Sequence, residues 1–273
     1  MKTQGLSSPS SSFNWIFSVT KKFWIILGVV LWLYFVISHI PAVWGAYLLT
    51  RGGYVGMSGV SGTLWSGRAS LASIKVKESD YPLGQLSWKL NGWSLLLLKP
   101  CADIETVMDN QNISGHICLG FNGAMDIANA NISFPARMVQ PQLPLPVDGK
   151  FVLRIESMSM KDNQLNQLQG KMSWTEAKVH NGTNWMEMGG FGADLSDDGS
   201  FGINAHVFAV NSPVNVDINV AMVSPSGTFI KGKVSMSEAF AQQSNASAWI
   251  TMFASATAPD DQGNLQYTVD MGL

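Results

Sequence analysis

The 27 residues from Phe23 to Leu49 contain no Lys, Arg, Asp or Glu. A helix rises about 1.5 Å per residue, so roughly 20 apolar residues cross the hydrocarbon core of a bilayer. The run predicts a transmembrane helix over 23–44. Trp24 at one end and Trp44 and Tyr47 at the other stand where interfacial aromatic belts stand. Pro41 falls near the far interface, where its missing N–H costs less. Lys21 and Lys22 abut the start, and every Asp and Glu of the chain lies at Glu78 or beyond. Positive charge stays on the cytoplasmic side, so residues 1–22 read as a short cytoplasmic tail and 45–273 as the body across the membrane. The rival is a cleaved signal peptide, because Val43-Trp44-Gly45 loosely fits a small-residue cleavage site. The apolar run is longer than a usual signal core, which favours a retained anchor.

Of the 273 residues 46% are hydrophobic and 13% charged, with a formal net charge of -2. Disorder needs low hydrophobicity and high net charge, and neither is present. A general nucleic-acid binder needs a surplus of Lys and Arg, which is also missing. Cys101 and Cys118 stand 17 positions apart. Either they close a disulfide in an oxidising compartment, worth about 3 kcal/mol on the loop-entropy model, or they are two free buried thiols. Composition does not choose between these.

Beyond the anchor the dominant period is two. Val214, Val216, Ile218, Val220 and Met222 alternate with Asn215, Asp217, Asn219 and Ala221. Phe201 to Val207, Leu265 to Met271 and Phe151 to Ile155 alternate in the same way. Each predicts a strand with one buried and one wet face. Asp198-Gly199, Pro225-Ser226-Gly227 and Gln262-Gly263 predict hairpin turns. From Ser235 to Phe253 the pattern changes: Met236, Phe240, Trp249, Met252 and Phe253 fall at roughly helical spacing. One amphipathic helix is expected there, with Ser237 before Glu238 as its cap.

Prolines at 135, 141, 144 and 146 exclude regular structure from a seam at 134–147, which makes the body either one β-rich domain or two halves. Gly84-Gln85-Leu86-Ser87-Trp88 is echoed by Gly170-Lys171-Met172-Ser173-Trp174, a short hint of an internal repeat. The fold class expected is mainly β: an anchor helix, then antiparallel sheet with one amphipathic helix near the C-terminus. The run Trp93 to Leu98 is too short to span a bilayer and too continuous for a half-wet strand. It reads as buried core in preference to a hydrophobic groove or interface.

Chemistry is sparse. His39, His116, His180 and His206 are scattered with no two at ligand spacing, so no metal ligand is assigned. Gly56, Gly59 and Gly62 lead into Thr63-Leu64-Trp65 rather than into a phosphate-binding pattern, and read as a tight turn between strands. No Gly-x-Ser-x-Gly elbow occurs. Asp197-Asp198 and Asp260-Asp261 sit beside turn glycines, where Asp is favoured for its backbone bonds. No catalytic, cofactor-binding or metal residue is assigned, and no enzyme is expected.

The segment Gly59-Val60-Ser61-Gly62-Thr63-Leu64-Trp65-Ser66-Gly67-Arg68-Ala69 resembles the signature of the type II secretion system protein N family. Pro82 to Leu90 with Trp93-Ser94-Leu95-Leu96, Leu143 to Gly149, Leu168 to Trp174 and the terminal Tyr267-x-Val269 match it in order. The resemblance implies a non-enzymatic, single-pass inner-membrane subunit of a Gram-negative secretion apparatus. Such a subunit has its bulk in the periplasm and assists export of folded proteins. It implies as partners other inner-membrane secretion subunits and the outer-membrane secretin, with lipid met through the anchor and no nucleic acid or small-molecule substrate. An oxidising periplasm tips Cys101 and Cys118 toward a disulfide. Contacts with partners are expected around Gly59, Gly62, Leu64, Trp65, Trp88 and Trp93. The second reading, from a different class, is an anchored lipid-binding or transfer module of the AsmA-like type, with an apolar β groove.

Overall fold

A computed structural model describes residues 13–76, 79–120, 122–143, 145–162, 164–223, 227–246 and 250–272. Helix α1 (Phe13–Ser38) is followed by α2 (Ala42–Thr50). The helix expected over 23–44 is therefore in two pieces. Pro41 has no N–H to donate back into α1 and disfavours helical backbone at the residue before it; it becomes the N-cap of α2 instead. α1 runs for 26 residues and its side chains are described from Lys22 onward. Among the described residues no helix is both long and apolar enough to cross a membrane. Phe23 to Ile26 and Val29 to Ile37 are all exposed.

The rest is one antiparallel meander. Its strands are β1 (Val55–Ser58), β2 (Ser61–Gly62), β3 (Ser66–Val76), β4 (Ser79–Leu90), β5 (Cys101–Met108) and β6 (Gln111–Leu119). There follow β7 (Met125–Pro135), β8 (Val147–Lys161), β9 (Gln164–His180), β10 (Trp185–Asp197) and β11 (Ile203–Val210). The last are β12 (Val214–Val223), β13 (Gly227–Met236), β14 (Ser255–Thr257) and β15 (Leu265–Gly272). Their order in the sheet is the order of the chain from β3 to β13; β1 closes one edge, β15 and then β14 the other, and β2 pairs with β3. Chain-order pairing follows from the turn chemistry. β10 and β11 turn through Asp198 and Gly199, where Asp198 Oδ1 accepts the Ser200 and Gly202 N–H groups. Asp260 Oδ1 does the same for Gln262 and Asn264 ahead of β15. Of the third expected turn, Pro225-Ser226-Gly227, the first two residues lie outside the described ones, and β12 and β13 pair down to Val223 opposite Gly227.

The mainly antiparallel β expectation is met, with local corrections. Phe201 is not in a strand; it is exposed in the β10–β11 turn with φ 67°, and β11 starts two residues later. Within the stretch expected as one helix from Ser235 to Phe253, β13 continues through Met236, α4 covers Glu238–Ser244 and Asn245 interrupts it in left-handed conformation. Ala246 and Ile250 are helical again on either side of 247–249, which lie outside the described residues. Ser237 does cap α4, accepting from Phe240 N–H. Trp249 lies outside the described residues. The seam is not without regular structure: a 3-10 helix occupies Ala136–Gln142. β7 and β8 on either side of it pair from Met125↔Met160 to Pro135↔Lys150, so the sheet is continuous there.

The largest apolar cluster lies toward the C-terminus. It joins Met186 and Met188 of β10, Val214 of β12, Val234 and Met236 of β13, and Tyr267 and Val269 of β15, covered by Ala241 of α4, Ala246 and Ile250. Burying one such large side chain is worth about 1.5–3 kcal/mol. Beside it a ladder of rings crosses four strands: Phe134, Phe151, Trp174 and Phe191, with centroids 5.6, 5.4 and 5.6 Å apart. Each neighbour is directly opposed in the register, the arrangement in which cross-strand aromatics stabilise a sheet. The N-terminal strands have a smaller cluster around Ala69, Ala72 and Leu86.

Candidate functional site

A helix leaves its last four carbonyls without intrahelical partners. At the end of α1 the segment linking β2 and β3 supplies one. Trp65 Nε1 donates to Ile37 O at 2.8 Å, and Leu64 N–H donates to Ile40 O at 2.8 Å. Thr63 forms a bridge with Pro41. Trp88 Nε1 donates to Leu64 O (3.1 Å) and Leu90 N–H to Trp65 O (2.7 Å), which ties the segment to β4. Leu64 also packs on α2, so tightly that a Cβ at Gly45 would stand 2.6 Å from its Cδ1. The result is a socket in which the sheet holds the end of α1.

This accounts for most of the segment singled out for partner contacts. Leu64, Trp65 and Trp88 are engaged within the chain. Gly59 (φ 66°) and Gly62 (φ 93°) are there because the backbone needs left-handed conformation. A Cβ at Gly62 would also sit 2.6 Å from Ser66 O. Trp93 is different: it is 77% exposed, with Leu97 at 80% and Leu98 at 67%. Much of the run expected as core is thus at the surface, with Ser94 buried and Leu95 half-buried beneath it. Asn91 caps a short helix, α3 (Gly92–Leu96), by accepting from Trp93 N–H, and Leu98 turns the chain at φ 55°. A Cβ at Gly92 would lie 3.4 Å from the Trp65 ring, so α3 starts beside the socket. Val43, Trp44, Tyr47, Leu48 and Leu49 of α2, and Tyr54, are exposed at the same end.

Over β3 to β6 lies an open groove of about 1070 Å³, with Arg68, Lys89, Asp103, Glu105, His116 and the Trp88 ring among its lining. Both signs of charge are present, so it has no bias toward an anion or a cation. On two of the same strands, Cys101 and Cys118 are directly opposed in β5 and β6 and are disulfide-bonded in the structure. His116 Nδ1 lies 2.7 Å from Asp103 Oδ1, and its Nε2 3.4 Å from Cys118 Sγ. Sequence reasoning assigned no metal ligand, yet donor atoms of Cys101, His116 and Cys118 lie within 4.8 Å of one another. The overlooked signal was Cys-x-Asp on one strand and His-x-Cys on the next, since residues two apart share a face of the sheet.

Elsewhere the Asp148 and Asp126 carboxylates are held below their ordinary value. Arg137 forks onto Asp148 with Nε at 3.1 Å and a terminal nitrogen at 2.7 Å, and the Gly149 N–H adds a further bond. The guanidinium is the larger cause of the lowered Asp148 pKa. Asp126 is lowered chiefly by its hydrogen bond from Lys99, 2.6 Å away, and then by Ser159.

Together these parts define a mainly β protein: a long antiparallel meander clasping the end of an N-terminal helix, with an open groove on its N-terminal strands. Residues 54–266 match the family described as type II secretion system (T2SS), protein N, and the chain belongs to that family. Among its relatives is the type II secretion system protein N of Aeromonas hydrophila, 31% identical over 126 residues, which cover 44% of this chain and 48% of the relative. Another is the protein of the same name from Vibrio cholerae serotype O1 (strain ATCC 39315 / El Tor Inaba N16961), 26% identical over 173 residues, 59% of this chain and 65% of the relative. The chain thus spans between about half and two thirds of the length of the curated relatives it matches. No solved structure matches it.

Proposed function

We propose that the protein is a non-enzymatic subunit of the type II secretion apparatus, anchored in the inner membrane by α1, with residues 1–22 cytoplasmic and the sheet in the periplasm. In this reading it assists export of folded proteins by contacting other single-span secretion subunits, and the outer-membrane secretin, through the sheet. In this reading the membrane-embedded stretch lies within α1, which the break before Pro41 separates from α2. Family membership supports the assignment to the machine. The observation that carries the anchoring is the socket. A helix with Phe23 to Ile26 and Val29 to Ile37 exposed ends in two hydrogen bonds from Leu64 and Trp65. That joint sets the sheet directly on the end of an apolar helix, and the exposed Trp44, Tyr47, Tyr54 and Trp93 belong at a membrane surface.

A lipid-carrying module is not favoured. Acyl chains need a continuous apolar groove, and the open groove over β3 to β6 presents Arg68, Lys89, Asp103 and Glu105. The test is to purify the tagged full chain from native membranes in mild detergent and identify the accompanying protein and lipid by mass spectrometry. Secretion subunits in a defined ratio are expected. Recovery of the chain alone with stoichiometric phospholipid or lipopolysaccharide would overturn the proposal in favour of lipid handling.

A further inference from the structure

The register of β5 and β6 places Cys101 opposite Cys118 and Asp103 opposite His116, with all four side chains on one face of the sheet. A structural disulfide asks nothing of a neighbouring imidazole. Here His116 uses Nδ1 for the Asp103 carboxylate at 2.7 Å and directs Nε2 at Cys118 Sγ, 3.4 Å away. Ligands of a tetrahedral zinc ion stand about 3.5 Å apart, so that pair already has the spacing. The carboxylate on the far nitrogen is the usual partner of a metal-bound histidine, fixing its tautomer and ring orientation. The sheet contains a built-in control. His206 and Asp217, on β11 and β12, form a diagonal cross-strand His–Asp pair at 2.9 Å, but through Nε2 and beside the Phe208 ring rather than a sulfur.

We propose that the Cys101–Cys118 disulfide masks a metal site. Reduced, Cys101, Cys118 and His116 bind one thiophilic divalent cation of the zinc class, and Asp103 positions the imidazole. The reductant is an external dithiol. One of its thiolates attacks a sulfur of the disulfide and the second resolves the mixed disulfide, so two electrons and two protons pass to the cysteines and the dithiol leaves as its own disulfide. Cation binding then releases the two thiol protons to solvent, while His116 binds as neutral imidazole through Nε2. The fourth position faces solvent on the side where His116 and Asp103 line the groove. Oxidation and metal loading are mutually exclusive, which makes the site redox-gated. None of this depends on the secretion reading, and its failure would leave that reading intact.

The test uses the full chain in mild detergent, reduced with a phosphine without added thiol, then titrated anaerobically with Co²⁺ and back-titrated with Zn²⁺. One Co²⁺ per chain is expected, with thiolate-to-cobalt charge-transfer absorption in the reduced protein and none in the oxidised protein. His116→Ala weakens binding at least about tenfold, and Asp103→Asn by about 10–100-fold. His206→Ala leaves it unchanged. Absence of the thiolate band in the reduced wild type would overturn the proposal, as would equal affinity in His116→Ala. Loss of the sheet signal in circular dichroism on reduction, whether or not the cation is present, would overturn it as well.

Discussion

Trp88 and Trp174 occupy matching positions in different surroundings. Each stands four residues after a glycine on its strand, and each indole donates to a carbonyl near the start of the preceding strand: Leu64 O at 3.1 Å and Asp148 O at 3.0 Å. Each also lies over a glycine of that strand. A Cβ at Gly67 would collide with the Trp88 ring, and one at Gly149 would sit 2.9 Å from Trp174 Nε1. From there they diverge. Trp174 is stacked between Phe151 and Phe191 and packs on a cluster of fourteen buried residues, whereas Trp88 packs on a cluster of three and borders the open groove. The same corner serves as core in one half and as the floor of a socket in the other. The C-terminal strands hold most of the burial, and the N-terminal strands carry the groove, the disulfide and the grip on α1.

The sharpest way to break this comparison is to remove both rings. Trp174→Ala should cost about 3–4 kcal/mol, since it deletes a stacked side chain and a satisfied indole donor. Trp88→Ala should cost about half as much, because less apolar packing surrounds it. Denaturant titration of the full chain in detergent, followed by circular dichroism, measures both. Equal costs would mean that the two halves are equally dependent on their corners.

Reducing the disulfide is the next largest perturbation. Its closing of a 17-residue separation is worth about 3 kcal/mol on the loop-entropy model. With little core around β5 and β6, the loss should appear as local opening. Amide hydrogen exchange should quicken at 101–119 on reduction while amides of β12, β13 and β15 keep their protection. Uniform loss of protection across the sheet would show that the halves unfold as one unit.

A subtler change tests the socket alone. Trp65→Phe keeps a ring but removes the bond to Ile37 O, for about 1 kcal/mol. Global stability should barely move, because α1 lies outside the sheet's core. Exchange at 38–40 and proteolysis at the α1–α2 link should both rise. No change in either would mean that the Leu64 N–H and the Thr63–Pro41 bridge hold the joint without Trp65.

What was legible in the sequence follows the same division. In the C-terminal half, period-two runs and Asp-Gly or Gln-Gly turns name β11, β12 and β15 almost by their residues, because local alternation and turn chemistry act on neighbours in the chain. In the N-terminal half the informative contacts are between distant residues. Trp93 to Leu98 reads as core because hydrophobicity reports transfer preference and not position; the Asn91 cap and left-handed Leu98 leave Trp93, Leu97 and Leu98 exposed. The tie between Trp65 and Ile37 spans 28 residues and has no local signature. His116 and the cysteines were individually visible, but their meeting depends on the β5–β6 register, which one strand alone does not specify.

The smallest predicted effect separates the two corners by charge. The carbonyl that accepts from Trp174 belongs to Asp148, whose carboxylate is bound by Arg137 and the Gly149 N–H; its counterpart for Trp88 belongs to Leu64, which has nothing to titrate. The Arg137 guanidinium, and then the Gly149 N–H, hold the Asp148 pKa below its ordinary value of 3.8. A carboxylate with a depressed folded-state pKa contributes stability that is fully present above its unfolded value and lost as pH falls through the folded one. Arg137 is exposed and Asp148 only half-buried, so the pair contributes little at neutral pH and less still in salt. Asp148→Asn should therefore lower the denaturation midpoint slightly at about pH 7, and the gap from wild type should close as pH falls below about 4. A gap that persists unchanged in acid would locate the effect in the geometry of the Gly149 turn rather than in the charge. The Trp174 corner would then differ from the Trp88 corner in packing alone.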